Sequence, residues 1–101
     1  MVLSPEILKR LRDLCEDRNV AHLELTGSAA RGDFDAEHSD IDLLIEFRAG
    51  VRVSALDVIE LADEMREIVG RKVDLIELSA VRNPILREML QRDRVPLYAA
   101  A

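Results

Sequence analysis

Two aspartates separated by one residue, Asp40 and Asp42, are the side chains of this sequence best suited to chemistry. They lie in the segment DIDLLIEF, whose β-branched and aromatic content and short length predict a buried strand. Because side chains alternate across a strand, both carboxylates point to one face, roughly 6.5 Å apart along the chain. Mg2+ binds a few carboxylate oxygens together with water and substrate phosphate. The pair therefore predicts a divalent-cation site, although a solvated strand edge is the structural alternative.

A glycine–serine pair precedes the acidic pair. Gly27-Ser28 follows an apolar run and leads into two alanines and Arg31, which predicts a strand, a turn and a helix start. Unpaired backbone N–H groups at such a turn bind anions, so Gly27 and Ser28 are candidate phosphate-binding residues. An ordinary helix N-cap by Ser28 is the alternative. Arg31 lies three residues after Ser28 and could contact the same phosphate, or form a salt bridge with Asp33 or Asp40.

A third aspartate, Asp74, lies in the apolar segment 72–78, which also predicts a short strand. Burying a lone carboxylate among apolar residues costs free energy unless it has a partner. A neighbouring strand that carries Asp40 and Asp42 would supply that partner through a shared cation. The alternative is a salt bridge to a basic neighbour, namely Arg66, Arg71 or Lys72.

Helices and strands must alternate to position these groups, and the sequence predicts such an alternation. The predicted elements are a helix at 5–18, a strand at 20–25, a short helix at 28–31, a strand at 40–47, a helix at 54–70, a strand at 72–78, a helix opened by Asn83-Pro84, and an extended segment at 95–98. Two apolar stripes are predicted to face inward: Val58, Ile59, Ala62, Met65 and Val69 on one helix, and Ile85, Leu86, Met89 and Leu90 on the last. The terminal alanines are predicted to be untethered.

This alternation is typical of an α/β (α+β) fold, in which helices pack on a small sheet. With 101 residues and 49% apolar content, the sequence predicts a single domain spanning residues 1–101. One cysteine, Cys15, excludes a disulfide within the chain and favours a reducing compartment. Neither a membrane-length apolar run nor a signal-peptide pattern is present, so we expect a cytoplasmic protein with no membrane association.

The charge balance bears on the partners. Twenty acidic residues against 14 basic residues give a net charge of −6, which repels nucleic acid phosphate and suits a basic protein. The only aromatic residues are Phe34, Phe47 and Tyr98, too few to form a platform that stacks bases. The composition therefore argues against direct nucleic-acid binding and favours a protein or a small molecule as the partner.

Taken in order, these motifs resemble the minimal nucleotidyltransferases of the DNA polymerase beta superfamily, of the kind found as antitoxins beside HEPN toxins. The likeness covers essentially the whole chain. Its pattern is matched by Gly27-Ser28, Ala30-Arg31-Gly32-Asp33, Ser39-Asp40-Ile41-Asp42 and the later Asp74. Eleven residues separate Ser28 from Asp40, one more than is usual in the family, in a polar loop where an insertion costs little.

The resemblance implies a mixed β-sheet flanked by helices, with the active site at one edge. It implies that catalysis and the binding of two Mg2+ ions fall to Asp40, Asp42 and Asp74, and that Asp74 also helps to deprotonate the acceptor. The implied nucleotide-binding residues are Gly27, Ser28, Arg31 and Ser39. The implied reaction transfers AMP from ATP to a hydroxyl, similar to a tyrosine hydroxyl on a cognate HEPN ribonuclease toxin, and so silences that toxin.

Two other functions stay open at this stage. The same fold could neutralise the toxin by binding alone, without catalysis. It could also remain a nucleotidyltransferase and modify a small molecule, such as an aminoglycoside, or RNA. The presence of all the expected acidic residues favours catalysis over binding alone.

Overall fold

The computed structural model of the protein describes residues 3–32 and 40–101. Helices and strands alternate along these ranges as the sequence predicts. They are α1 (Pro5–Asp17), β1 (Val20–Thr26), α2 (Gly27–Arg31), β2 (Ile41–Phe47), α3 (Ala55–Val69), β3 (Val73–Glu77), a 3-10 turn (Leu78–Ala80), α4 (Pro84–Arg92) and β4 (Val95–Ala99). The predicted α/β class is therefore confirmed, and the predicted bounds differ from the observed ones by about one residue.

The four strands form one mixed sheet in the order β3-β2-β1-β4. The central strands β1 and β2 are antiparallel, and β4 is antiparallel to β1. The outer strand β3 runs parallel to β2, because α3 connects the two strands as a crossover helix. This topology brings the end of β1 and the beginnings of β2 and β3 to the same end of the sheet.

Helices α1 and α3 cover one face of the sheet. In α1, the Ser4 hydroxyl accepts a hydrogen bond from the Ile7 N–H at 3.2 Å, and Pro5 occupies the first turn as predicted. The core beneath the two helices includes Leu11, Cys15, Leu23, Leu25, Ile41, Leu43, Ile45, Leu61 and Met65. Burial raises the pKa of the Cys15 thiol to about 12, so this side chain stays protonated and packs as a small apolar group.

The predicted caps of α3 are present, whereas one residue of its predicted stripe is wrong. Ser54 and Asp57 form a reciprocal capping box, with hydrogen bonds of 3.1 and 2.9 Å, and Gly70 ends the helix with φ +74°. Ile59 is 57% exposed, and Leu61 is buried in its place. At about 100° per residue, Ile59 lies about 120° around the helix from Met65 and so outside the buried stripe, whereas Leu61 lies only about 40° from it.

Helix α4 packs differently from α1 and α3. The prediction that its apolar residues face inward is wrong for Ile85, Leu86 and Met89, which are exposed, whereas Leu90 is half-buried. Polar contacts hold this helix instead. The Thr26 hydroxyl donates to the Leu90 carbonyl at 2.7 Å, and the Arg87 guanidinium donates to the carbonyls of the turn before the helix. Ile85, Leu86 and Met89 therefore do line one side of α4, but that side does not pack against the sheet.

The end of the chain is tied to the sheet. β4 confirms the predicted extended segment, and the Ala100 N–H donates to the Ala21 carbonyl at 2.8 Å. The prediction of untethered terminal alanines is therefore wrong, because the strand pairing continues past Tyr98. Within the described ranges, no helix has the length and apolar content needed to span a bilayer.

Candidate active site

The strand register brings the predicted aspartates together at one end of the sheet. Asp42 of β2 lies directly between Thr26 of β1 and Asp74 of β3. Because residues opposite one another in register point to the same face, the carboxylates of Asp42 and Asp74 share a face. Asp40 precedes Asp42 by two residues and lies on that face as well. Asp42, Asp74 and Asp40, which immediately precedes β2, therefore lie on the face opposite the α1 and α3 layer.

Gly27 brings the backbone of the β1–α2 turn against the Asp42 carboxylate. Its φ is +70°, and a Cβ placed on it would lie 2.5 Å from Asp42 Oδ2. Any other residue would be strained at this φ and would also displace the carboxylate. The glycine of the predicted phosphate turn and the Asp42 carboxylate thus lie side by side, and only glycine fits at position 27.

The pKa of the Asp42 carboxyl is shifted by the charged side chains around it. Burial raises the pKa of the Asp42 carboxyl, and the charges of Asp74 and Asp40 raise it further, while the Arg31 guanidinium lowers it. Each like charge makes ionisation of Asp42 more costly, and a cation nearby would relieve that cost. The site is therefore an acidic cluster, with one arginine opposing the repulsion.

Two basic residues near the cluster form ion pairs with acidic residues other than Asp74. Lys72 Nζ lies 3.7 Å from Asp40 Oδ2, and Arg66 pairs with Asp63 at 2.6 Å. These pairings differ from the predicted alternative in which Arg66 or Lys72 would neutralise Asp74. The Lys72 side chain is 69% exposed, and a pair this exposed contributes little to stability. Lys72, a predicted alternative partner of Asp74, is thus an exposed charged neighbour of Asp40.

The chemistry of the cluster suits a hard divalent cation. Its donors are all carboxylate oxygens, which hard divalent cations prefer as ligands. Among the described residues, no three acidic, histidine or cysteine side chains converge as a finished ion cage. Mutual repulsion keeps such carboxylates apart, and Mg2+ completes its octahedron with water and phosphate oxygens. The donor set therefore fits a magnesium ion shared with a substrate phosphate.

The turn itself differs from the predicted alternative of a Ser28 cap. Ser28 lies inside α2, and the N-cap residue is Thr26, whose side chain makes no capping hydrogen bond. The Thr26 hydroxyl is directed instead to the Leu90 carbonyl, an acceptor in the last turn of α4. Thr26 is 1% exposed and was not predicted as a site residue. Its signal in the sequence was a hydroxyl residue placed between a buried strand and a glycine.

The structure places most of the predicted nucleotide-binding residues on this turn. Gly27 and Ser28 begin α2, and Arg31 ends it, one turn further along the same helix. Ser39, the fourth predicted residue, lies outside the described residues, as do Asp33 and most of the spacer before Asp40.

Solved structures share this fold. A toxin–antitoxin structure with AMP-PNP contains a chain that superposes with a TM-score of 0.75 at 20% identity, covering 92% of this chain and 73% of that one. A complex of a tri-AMPylated Shewanella oneidensis HEPN toxin with an MNT antitoxin gives a TM-score of 0.69 at 18% identity, covering 93% and 71%. At this level of identity the likeness extends to the fold.

Sequence comparison reaches further. Residues 6–96 match the family described as the nucleotidyltransferase domain. A Methanocaldococcus jannaschii relative, provisionally named a protein adenylyltransferase, is 34% identical over 91 residues, which are 89% of this chain and 90% of that protein. The family match spans Gly27, Asp40, Asp42 and Asp74. The chain therefore belongs to the nucleotidyltransferase domain family.

Proposed function

We propose that this protein is a Mg2+-dependent protein adenylyltransferase that acts as an antitoxin. It transfers AMP from ATP to a hydroxyl, a tyrosine in our proposal, of a cognate HEPN ribonuclease toxin. The single observation that carries the proposal is the placement of Asp40, Asp42 and Asp74 on one sheet face, with the Gly27 backbone against Asp42. The reaction needs this combination because the carboxylates hold the Mg2+ that neutralises phosphate charge, and the glycine turn supplies backbone N–H groups to the phosphate.

The residues of the cluster have separate roles in the proposal. Asp40, Asp42 and Asp74 would hold Mg2+, which when bound stabilises the charge on the attacking and leaving oxygens. Gly27 and Ser28 bind the triphosphate through backbone N–H groups and the serine hydroxyl. These contacts align the α-phosphate with the acceptor, and such alignment supplies much of the rate enhancement in phosphoryl transfer.

Two further groups manage charge and protons. Burial, Asp74 and Asp40 raise the pKa of Asp42, and the positive charge of Arg31 partly offsets that rise and so favours the ionised form that binds a cation. Asp74 is exposed, so the hydroxyl of another protein can approach it. In the transfer, the acceptor oxygen bonds to the α-phosphorus, the bond from that phosphorus to the bridging oxygen breaks, and pyrophosphate leaves. The acceptor proton passes to Asp74.

The comparisons support a protein acceptor. The solved structures with this fold include a toxin–antitoxin pair with AMP-PNP and an AMPylated HEPN toxin with its antitoxin, and the M. jannaschii relative is named for protein adenylylation. The net charge of −6 also suits a ribonuclease, whose substrate requires a basic surface. We assign the reaction to the cytoplasm, where ATP is available.

The test uses the cognate HEPN-domain protein that the proposal names. The two purified proteins are incubated with ATP and Mg2+, and mass spectrometry measures AMP on the HEPN protein and locates the modified residue. We expect AMP on a tyrosine, together with loss of ribonuclease activity. A HEPN protein that is inhibited yet unmodified would overturn the enzymatic proposal and leave inhibition by binding.

A matched pair of substitutions makes this test specific. Asp42→Asn removes a charge from the cluster at constant volume and should abolish AMP transfer. Asp63→Asn makes the same change on the exposed surface of α3, where Asp63 pairs only with Arg66 of its own helix among the ion pairs described, and should leave transfer unchanged. Equal transfer by the two variants would contradict the assignment of Asp42.

A further inference from the structure

Helix α4 carries an apolar flank that the rest of the described structure leaves exposed. Ile85 is 70% exposed, Leu86 46% and Met89 59%. Exposing three large apolar side chains on one short helix forgoes burial free energy, and such patches on soluble proteins mark interaction sites. We infer that this flank is the surface on which the protein that carries the acceptor hydroxyl docks.

The position of α4 supports this assignment. The Thr26 hydroxyl holds the last turn of the helix through the Leu90 carbonyl at 2.7 Å. Thr26 immediately precedes Gly27 and is the register partner of Asp42. The C-terminal end of the flank therefore lies next to the turn and the acidic cluster, so a protein bound to α4 has its own surface beside the reaction centre.

The opposite flank of α4 has a different character. Arg87 and Gln91 line a cavity of about 580 Å³ with the polar side chains of the sheet, including His22, Glu24 and Glu46. Arg94, just after the helix, bonds Glu24 at 3.2 Å in the same region. The polar flank is thus occupied by contacts within this chain, whereas the apolar flank is available for another protein.

Charge argues against a second copy of this chain as the occupant. Arg92 continues the stripe of Ile85 and Met89 one turn further, and Arg82 precedes the N-terminus of the helix. In a two-fold contact between antiparallel copies of α4, Arg82 of one copy would lie near Arg92 of the other. The like charges oppose such a contact, because the ion pair of Arg92 with Glu88 at 3.7 Å is exposed and therefore weak. The occupant is therefore an apolar face presented by a different protein.

This docking surface deepens the proposed function and rests on it for the identity of the partner, the cognate HEPN-domain protein of that proposal. The test variant is Ile85→Asp with Met89→Asp. The matched control is Leu56→Asp with Ile59→Asp, since those residues are 62% and 57% exposed on α3, in the helix layer of the other sheet face. Circular dichroism establishes that both variants fold, and titration calorimetry measures Mg2+–ATP binding and HEPN-protein binding separately.

We expect the α4 variant to weaken HEPN-protein binding by about 30-fold or more, because docking would bury two carboxylates among apolar groups. AMP transfer should fall in parallel, whereas Mg2+–ATP affinity stays within about twofold of the parent. The α3 control should match the parent in both titrations. If the double variant does not fold, Ile85→Ser alone replaces it, with a smaller loss of the same kind.

Other outcomes separate the two proposals. Unchanged HEPN-protein binding by a folded α4 variant would overturn the docking surface, even if AMP transfer is found. A free parent chain that is dimeric and becomes monomeric through the α4 change would also overturn it, since a second copy would then cover the flank. Conversely, α4-dependent binding without any AMP transfer or ATP binding by the parent would overturn the proposed reaction and leave the docking surface in place.

Discussion

The two faces of the four-stranded sheet are covered to different extents. On one face, α1 and α3 bury leucine, isoleucine, methionine and cysteine side chains almost completely, as at Leu11, Leu61 and Met65. On the other face, α4 contributes no buried residue and is held by hydrogen bonds from Thr26 and Arg87. The face covered by α1 and α3, the closed face, stabilises the fold. The other face, the open face, leaves carboxylates and an apolar flank accessible to ligands.

Strand β2 serves both faces. Ile41, Leu43 and Ile45 are fully or almost fully buried beneath the helices, and Asp42 points the opposite way into the acidic cluster. The strong apolar side fixes the register of the strand, because a slip by one residue would move the carboxylate into the core. The closed face thereby positions the charge of Asp42, which is costly to bury. We expect substitutions on the open face to change activity and substitutions on the closed face to change stability.

The largest expected effect on the open face is that of Asp42→Asn. Changing a residue that only hydrogen-bonds to a metal ligand already costs about 10–100-fold, so loss of a proposed ligand should lower AMP transfer by about a hundredfold or more. Single-turnover transfer to the HEPN protein measures this loss. A variant with more than about a tenth of the parent rate would show that the faces do not divide the roles in this way.

The same substitution separates activity from stability. Because the pKa of Asp42 is raised above its ordinary 3.8, the unfolded state ionises first as pH rises, and the folded state loses stability across that interval. Asn does not titrate, so in Mg2+-free buffer at pH 7 we expect Asp42→Asn to melt at a higher temperature than the parent. The difference should narrow as pH falls towards 3.8. An equal or lower midpoint at pH 7 would exclude repulsion as the dominant effect.

On the closed face, Met65→Ala should show the opposite pattern. Met65 is fully buried, and truncating such a side chain costs about 2–5 kcal/mol in the free energy of unfolding. Urea unfolding measures this cost, and AMP transfer per folded molecule should remain near that of the parent. A loss below about 1 kcal/mol would mean that the core beneath α3 relaxes readily and is not the rigid support of the site.

Thr26→Val tests the bond that joins the reaction centre to α4. Valine keeps the shape of Thr26 but leaves the Leu90 carbonyl without its donor, which costs about 1–3 kcal/mol. Because the bond anchors one helix only, hydrogen exchange should accelerate in the amides of α4 more than in those of α3. Equal acceleration in both helices would show instead that the hydroxyl supports the whole fold.

Much of the closed face and of the site could be predicted from the sequence because local rules determine it. Ser4-Pro5 and the Ser54 box mark helix starts in a way that tertiary contacts do not override. The alternation around Asp42 predicts its face directly. Asp74 was placed beside it only through the resemblance and the inference of a shared cation, because pairing between strands far apart in the chain has no local signal.

The errors lie mainly on α4 and at Thr26. Apolar periodicity predicts which side of a helix avoids water, but it does not predict whether the same chain or a partner covers that side. For α4, Ile85 and Met89 follow the rule for an inward stripe and face outward. The Thr26 bond joins residues 64 positions apart, a distance over which sequence patterns carry no information about hydroxyl direction.

The smallest effect on stability is expected for Met89→Ala, the counterpart of Met65→Ala. The two methionines occupy comparable helical positions, but Met89 is 59% exposed, so its truncation should change the free energy of unfolding by no more than about 0.5 kcal/mol. If α4 docks the HEPN protein, the same change should weaken that binding by about five- to tenfold, or about 1–1.4 kcal/mol. Urea unfolding and calorimetry on one preparation measure both quantities. A stability loss as large as that of Met65→Ala would mean that this flank is buried in solution, and the contrast between the two sheet faces would not hold.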